Sequence, residues 1–336
     1  MDVRLPADLR SAIDAAADGL GQSALAEDAR RLSLGYREGQ PSSRFVRKRE
    51  DALAYALSRM PATYAAVTAV LGRLVDARPD FRPRTLLDVG AGPGTASWAA
   101  LELWPDIDLA AMIENNRDFI RLARDLGLGA PHVALREAEI RAEDLADLRQ
   151  VFGAYDLTIV SYALTELELP VAQRLIGELL RSTRGYLVLV EPGTTRDHGR
   201  LMALRQAAIA AGASVVAPCL HAEPCPLGGG DWCHFTVRLP RSRAHMRLKA
   251  ATVPFEDEPY SYLVLAPAGA ATQSQGGEVG RVLKPPRLGK AAIVFDVCAA
   301  DGRQRSVEVP SRDKPAFKAA KKTGWGDVLS PARDID

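Results

Sequence analysis

A short apolar run, Thr85–Val89, closes on Asp88-Val89-Gly90-Ala91-Gly92-Pro93-Gly94 and passes at once into a helical pattern from about Thr95 to Trp104. Three glycines at alternate positions let the backbone run close to a neighbour or a ligand, because no Cβ stands in the way. Further strand patterns follow at Leu109–Ile113, Asp156–Ser161 and Tyr186–Val190, with a weaker one at His132–Leu135. They alternate with helical patterns at Arg117–Leu126, Pro170–Arg181 and Gly199–Ala211, the last stopped by Gly212. Alternation of this length predicts a parallel, doubly wound α/β sheet.

The flanks read differently. Residues 1–80 are helical in pattern: Pro61 opens a segment whose Tyr64, Val67, Leu71 and Leu74 share one face. A helix is also expected over Arg44–Arg59, with Arg44, Arg47, Lys48 and Arg49 near its start, where the helix dipole disfavours them. Residues 216–234 are rich in Cys, Pro and Gly and have no period. Phe235–Leu239 and Tyr260–Leu265 are expected to complete the sheet as an antiparallel pair. A small, polar linker or loop tip follows over Ala268–Gly280, then a β unit from Arg281–Leu283, Ala292–Val297 and Arg305–Val309, and a basic helical tail over Lys314–Lys322. The expected organisation is a helical region at 1–80, a central domain at 81–267 with a cysteine-rich insertion at 216–234, and a basic β extension at 268–336.

With 47% hydrophobic and 25% charged residues, the chain has the balance of a soluble protein with a sizeable core. Its net charge of +1 hides an asymmetry: from Thr236 onward Lys and Arg outnumber Asp and Glu by 17 to 11. A basic C-terminal third suits a polyanionic partner, or a merely solvated surface. No segment approaches the roughly 18 apolar residues of a membrane span. Asp2, Asp8 and Asp14 near the start argue against a secretory signal, so a cytosolic protein is expected. In a reducing compartment its cysteines are poor candidates for structural disulfides.

The D-x-G-x-G-x-G turn resembles the signature of class I S-adenosylmethionine (SAM) dependent methyltransferases. That resemblance implies a loop backbone at Gly90, Gly92 and Gly94 around the methionine part of SAM, with Asp88 at the ammonium or its water. Glu114, at the end of the second strand, suits a bidentate bond to ribose hydroxyls. A dinucleotide fold would want its third glycine at Thr95. The end of the fourth strand, Ser161-Tyr162-Ala163-Leu164-Thr165-Glu166, is expected to face the transferred methyl, with Ser161 at the cofactor. It lacks the Asn/Asp-Pro-Pro-aromatic run of many base-modifying enzymes. Glu166, Glu168 and Glu191 lie near the expected cleft and read as surface or helix-capping carboxylates, so no catalytic residue is assigned.

Cys219, Cys225 and Cys233 fall in one irregular, Gly- and Pro-rich stretch, and Cys298 ends an apolar strand. Four thiolates match a [4Fe–4S] cluster or a Cys₄ zinc site. The spacing lacks the close C-x₂-C pair of zinc ribbons, which favours the cluster. His221 and His234 leave a mixed zinc site open, and four unconnected buried thiols are the bland alternative.

Taken together, the chain resembles the small-ribosomal-subunit-associated methyltransferase-like family, which includes the mitochondrial small-subunit assembly factor and its bacterial homologues. The resemblance rests on Leu34-Gly35-Tyr36-Arg37, Ala54-Tyr55-Ala56, Arg59-Met60-Pro61-Ala62-Thr63-Tyr64, Asp88–Gly94 and Glu191-Pro192-Gly193-Thr194. It continues through Cys219–Phe235, Tyr260-Ser261-Tyr262-Leu263, Cys298 and Trp325-Gly326-Asp327. It departs at Leu220, where the family usually has Pro before the histidine. It implies a [4Fe–4S] cluster on Cys219, Cys225, Cys233 and Cys298, and binding to the small ribosomal subunit or its rRNA precursor. Three functions follow as alternatives: an rRNA methyltransferase, an assembly factor without turnover, or a small-molecule methyltransferase with a structural metal. The oligomeric state is left open.

Overall fold

Leu86 and Leu87 project from opposite faces of one strand, β1 (Thr85–Val89), and both are fully buried. The structure, a computed structural model, describes residues 3–37, 42–148, 151, 153–249, 251–269 and 279–329. Four helices precede β1: α1 (Ala7–Ala16), α2 (Gln22–Arg37), α3 (Arg49–Ser58) and α4 (Met60–Ala77). After it come α5 (Thr95–Leu103), β2 (Leu109–Ile113), α6 (Arg117–Leu128), α7 (Val133–Arg136), β3 (Glu139–Arg141), β4 (Tyr155–Ser161), α8 (Leu169–Ser182) and β5 (Thr183–Pro192). Then follow α9 (Thr195–Ala210), β6 (Ser214–Ala217), β7 (Phe235–Pro240), α10 (Arg243–Leu248) and β8 (Phe255–Ala266).

These eight strands form one sheet in the order β3-β2-β1-β4-β5-β8-β6, with β7 also paired to β8. β1 to β5 are mutually parallel, and β8 runs antiparallel to β5, β6 and β7. This is a Rossmann-like α/β fold, a parallel sheet extended by antiparallel strands at one edge. Leu86 joins Ile159, Val188 and Val190 in a core shared with Leu53, Val67 and Leu71 of the N-terminal helices. Leu87 joins Val160, Leu187 and Leu189 in a second core with Leu175 of α8 and Leu201 of α9. Strands covered on both faces must be apolar on both, which is why these segments read as runs rather than alternations.

Three expectations are corrected. His132–Leu135 is not a strand; a one-turn helix, α7, takes its place and β3 follows it, pairing Ala111 with Glu139. The helix expected over Arg44–Arg59 begins at Arg49, so Arg44 and Arg47 precede it and Lys48 is its N-cap residue. Its first turn holds Glu50 and Asp51, in keeping with the dipole, and Asp51 Oδ2 accepts from Arg47 N at 2.9 Å. The irregular stretch is shorter than expected, because β6 extends to Ala217.

A second sheet is built from β9 (Gly280–Val282), β10 (Arg287–Leu288), β11 (Ala292–Ala299), β12 (Gln304–Pro310) and β13 (Val328–Leu329), with α11 (Lys314–Ala320) beside it. Its order is β10-β11-β9-β13, with β12 on β11, around Val282, Phe295, Val297 and Leu329. Arg73 of α4 reaches Asp327, the residue before β13, at 2.6 Å. Residues 270–278 of the expected linker lie outside the described residues. No helix among the described residues is long and apolar enough to cross a membrane.

Candidate functional site

The glycine turn lies where β1 hands over to α5. Gly90, Gly92 and Gly94 all have positive φ, and Gly94 is the N-cap residue of α5. A Cβ on Gly90 would stand 2.5 Å from Ala163 Cβ, so this position requires glycine. A Cβ on Gly92 would meet no atom within 4 Å, because it faces a cavity of about 310 Å³. Gly90, Gly92, Glu114 and Ser161 line this cavity; Asp88 and Gly94 do not.

Asp88 is fully buried and turned the other way. Its Oδ2 accepts from Ser97 N and Oγ at 2.9 and 2.8 Å, securing the first turn of α5. Its Oδ1 has no partner, and burial lifts the carboxyl to about 7. Glu114 braces the turn as well as facing the cavity. It accepts from Gly92 N at 2.7 Å and from Asn115 N and Asn116 N at 3.0 and 2.9 Å, while burial raises its pKa.

Several wall residues escaped the sequence reading. The N-terminal helices contribute Tyr36, Tyr55 and Thr63, and Ser42 donates from both N and Oγ to Glu166 Oε2 at 3.0 Å. Burial lifts Glu166 to about 7. Thr95, the first residue of α5, presents a buried hydroxyl without a partner. Glu191 is buried and accepts from Leu164 N at 3.0 Å, and burial pushes it to about 8. Glu168 is exposed before α8 and makes no capping bond with its side chain.

A larger cavity, about 730 Å³, adjoins the first and shares Tyr36, Tyr55, Thr63 and Tyr162 with it. Tyr162 has φ +57°, a left-handed conformation costly for a bulky residue. Its N–H donates to Val190 O at 2.8 Å and its hydroxyl to Glu258 Oε1 at 3.2 Å, which also accepts from Arg59 at 3.2 Å. Arg241 and Lys249 line this cavity with Glu256, which accepts from Lys249 Nζ at 2.7 Å. No motif announces this cavity, because α2, α3, α4, α9 and β8 meet there from distant parts of the sequence.

The four cysteines are free thiols, and all four line one further cavity, with His198, His221, Tyr262 and Arg281. Cys219 follows β6, Cys225 and Cys233 lie in the irregular loop, and Cys298 sits on β11. Burial pushes the Cys219 and Cys233 thiols up, and Cys298 to about 12. His221 Nε2 lies 3.2 Å from Cys298 Sγ. His198 Nε2 and Tyr262 Oη are buried without partners, and burial lowers His198 to about 4. Among the described residues no three of His, Cys, Asp and Glu are grouped closely enough to hold a metal ion, so the expected metal loop is not established by this geometry.

Three comparisons bear on this arrangement. A family model described as mitochondrial small ribosomal subunit Rsm22 matches residues 49–330. The human ribosome assembly protein METTL17, mitochondrial, is 26% identical over 299 residues, covering 82% of this chain and 62% of that protein. The mitochondrial Rsm22-cox11 tandem protein 2 of Schizosaccharomyces pombe is 26% identical, covering 82% of this chain and 43% of its own length. The chain thus spans about half the length of these relatives. Among solved structures, magnesium protoporphyrin IX methyltransferase from Synechocystis PCC 6803 with bound SAM is 14% identical, with a TM-score of 0.39. It is matched over 65% of this chain and 84% of its own. TrmN from Thermus thermophilus is 17% identical, with a TM-score of 0.39, over 63% of this chain and 53% of its own. The cytosolic expectation is overturned: the family model and both relatives are mitochondrial by name.

Proposed function

The chain belongs to the mitochondrial small ribosomal subunit Rsm22 family, and on that footing we propose that it binds SAM in the smaller cavity and acts on the assembling small ribosomal subunit. The observation that carries the SAM reading is Glu114 on the wall of a cavity floored by Gly90 and Gly92. A carboxylate there is the acceptor that two ribose hydroxyls need, and Gly92, having no Cβ, leaves the adjoining space open to the ligand. The unpartnered Thr95 hydroxyl and the N-terminus of α5 suit the carboxylate of a methionine group. Asp88 acts indirectly, by holding α5 through Ser97.

When bound, SAM supplies an electrophilic methyl. The larger cavity beside Tyr162 supports methyl transfer over a purely structural ligand, because it gives a bulky acceptor room next to the smaller one. Ser161 and Tyr162 would orient the two groups across the shared wall. The ribosomal partner is supported by the family and by exposed basic residues such as Arg243, Arg247, Lys314 and Lys318.

We assign the cysteine cavity to a [4Fe–4S] cluster held by Cys219, Cys225, Cys233 and Cys298. The convergence of four thiols on one cavity supports it. The cysteine spacing lacks the close C-x₂-C pair of zinc ribbons, which favours the cluster over a single zinc ion. Calorimetric titration with SAM and its demethylated product tests the first assignment. Iron and sulfide content of protein purified without oxygen tests the second; colourless protein with one zinc per chain would reverse it.

A further inference from the structure

Two arginines beside the cysteine cavity are buried without an anion. Arg205 of α9 is fully buried and Arg281 of β9 is 7% exposed. Neither forms an ion pair with a carboxylate among the described residues. Arg205 gives its guanidinium to loop carbonyls instead: His221 O at 2.5 Å, Glu223 O at 2.9 Å and Ala222 O at 3.4 Å, while its Nε has no partner. Arg281 donates to Pro218 O at 2.8 Å and Gly326 O at 2.9 Å, and it lines the cavity. The sheet register sets Arg281 directly opposite Cys298. Acids close by in the sequence of the contacting segments are engaged or outside: Asp301 is tied to Arg305, Asp327 to Arg73, and Glu223 is exposed.

Carbonyl oxygens orient a guanidinium but do not neutralise it. A buried cation without a counter-ion costs several kcal/mol, so a fold that keeps two of them at one place needs negative charge there. Among the described residues that line the cavity with Arg281, the four cysteines are the groups that can supply that charge, once bound to iron as thiolates. Four thiolates around an oxidised [4Fe–4S] core carry a net charge of minus two, which balances two arginines; reduction adds one more negative charge.

We propose that Arg205 and Arg281 are the built-in counter-ions of a four-thiolate cluster, holding the cysteine loop in its loaded form and favouring the reduced state. This rests on the cluster assignment above. Arg205 gathers the carbonyls between Cys219 and Cys225, and Arg281 clamps the carbonyl preceding Cys219. Each side chain therefore couples the position of a ligand to the charge of the centre.

The test uses the whole chain, reconstituted without oxygen with iron and sulfide, and compared with Arg205→Gln, Arg205→Lys, Arg281→Gln and Arg281→Lys. Iron and sulfide content, visible absorption and the midpoint potential are read for each. Each Gln variant is expected to shift the reduction equilibrium at least tenfold toward the oxidised form, about 59 mV for a one-electron couple. Each Lys variant is expected to remain close to the parent. Gln variants that fail to load while Lys variants load also support the charge. Gln variants that load with unchanged potential would overturn the inference. So would Lys variants that fail together with Gln, because the fork of hydrogen bonds and not the charge would then be what matters. Parent protein that holds no iron and sulfide defeats the cluster assignment itself.

Discussion

Trp232 Nε1 donates to Gly193 O at 2.9 Å, and this bond ties the cysteine loop to the wall of the larger cavity. The neighbouring helix repeats the relationship: Asp197 lines the larger cavity, and His198, the next residue of α9, lines the cysteine cavity. Trp232 also stacks on His234, with ring centroids 4.7 Å apart. Trp232→Phe keeps a ring for stacking and removes the donor. It is expected to cost about 1 kcal/mol in urea unfolding. Trp232→Ala is expected to cost more, having lost the stacking as well.

Two glycines of one turn are expected to separate stability from binding. At Gly90 an added methyl would press on Ala163 Cβ with φ at +69°, so Gly90→Ala is expected to lose about 2–4 kcal/mol of stability. At Gly92, with φ +55°, the methyl meets open space, and the backbone strain alone costs about 1 kcal/mol. Gly92→Ala is therefore expected to stay folded and to bind SAM more weakly, because its methyl enters the cavity. Thermal unfolding and titration on both variants check this.

Buried carboxyls should give stability a marked pH dependence. Burial lifts Glu166 to about 7 and Glu191 to about 8 from an ordinary 4.5. Between those values the folded chain holds protons that the unfolded chain has released, so stability falls as pH rises through the window. Glu256 works in the other direction: burial would raise it, but His245 and Lys249 hold it low, so its contribution is lost in acid. Glu191→Gln keeps an acceptor for Leu164 N and removes one titration. Its stability is expected to fall less than the parent's from about pH 5 to pH 8, by more than about 1 kcal/mol.

Position in the fold decides which basic residues can serve an RNA partner. Lys249 and Arg241 are committed to Glu256, whereas Arg243 and Arg247 on α10 are exposed. Reversing Arg243 and Arg247 to Glu is expected to leave the fold intact and to weaken binding to small-subunit rRNA. Each lost phosphate contact should flatten the log–log salt slope by about 0.7–0.9. Lys249→Glu is instead expected to destabilise the protein, by facing Glu256 with a like charge.

What the sequence discloses here is local. Asp88 to Gly94 predicts the turn because glycine adopts positive φ most readily and a helix follows, and Leu86 with Leu87 predicts a strand covered on both faces. The α7 turn at Val133–Arg136 has the same apolar content as a short strand, so no period separates the two. Glu114 and Ser161 can be placed at the cavity because one follows and the other ends a strand of the parallel sheet. Asp88 resembles a ligand contact in sequence, yet folding turns it onto Ser97. Tyr36, Ser42, Tyr55 and Tyr162 become neighbours only when the N-terminal helices close over the sheet. Arg205 lies on a helix with nothing to mark it until the loop it holds is in place.

The most direct test of the account is a calorimetric titration of SAM into the parent chain and into Glu114→Ala, with NADH as a control. The account predicts SAM binding at micromolar levels or tighter, about −8 kcal/mol, a clear weakening in Glu114→Ala, and no heat from NADH. Binding of NADH with none of SAM, or SAM binding untouched by loss of the Glu114 carboxylate, would contradict it.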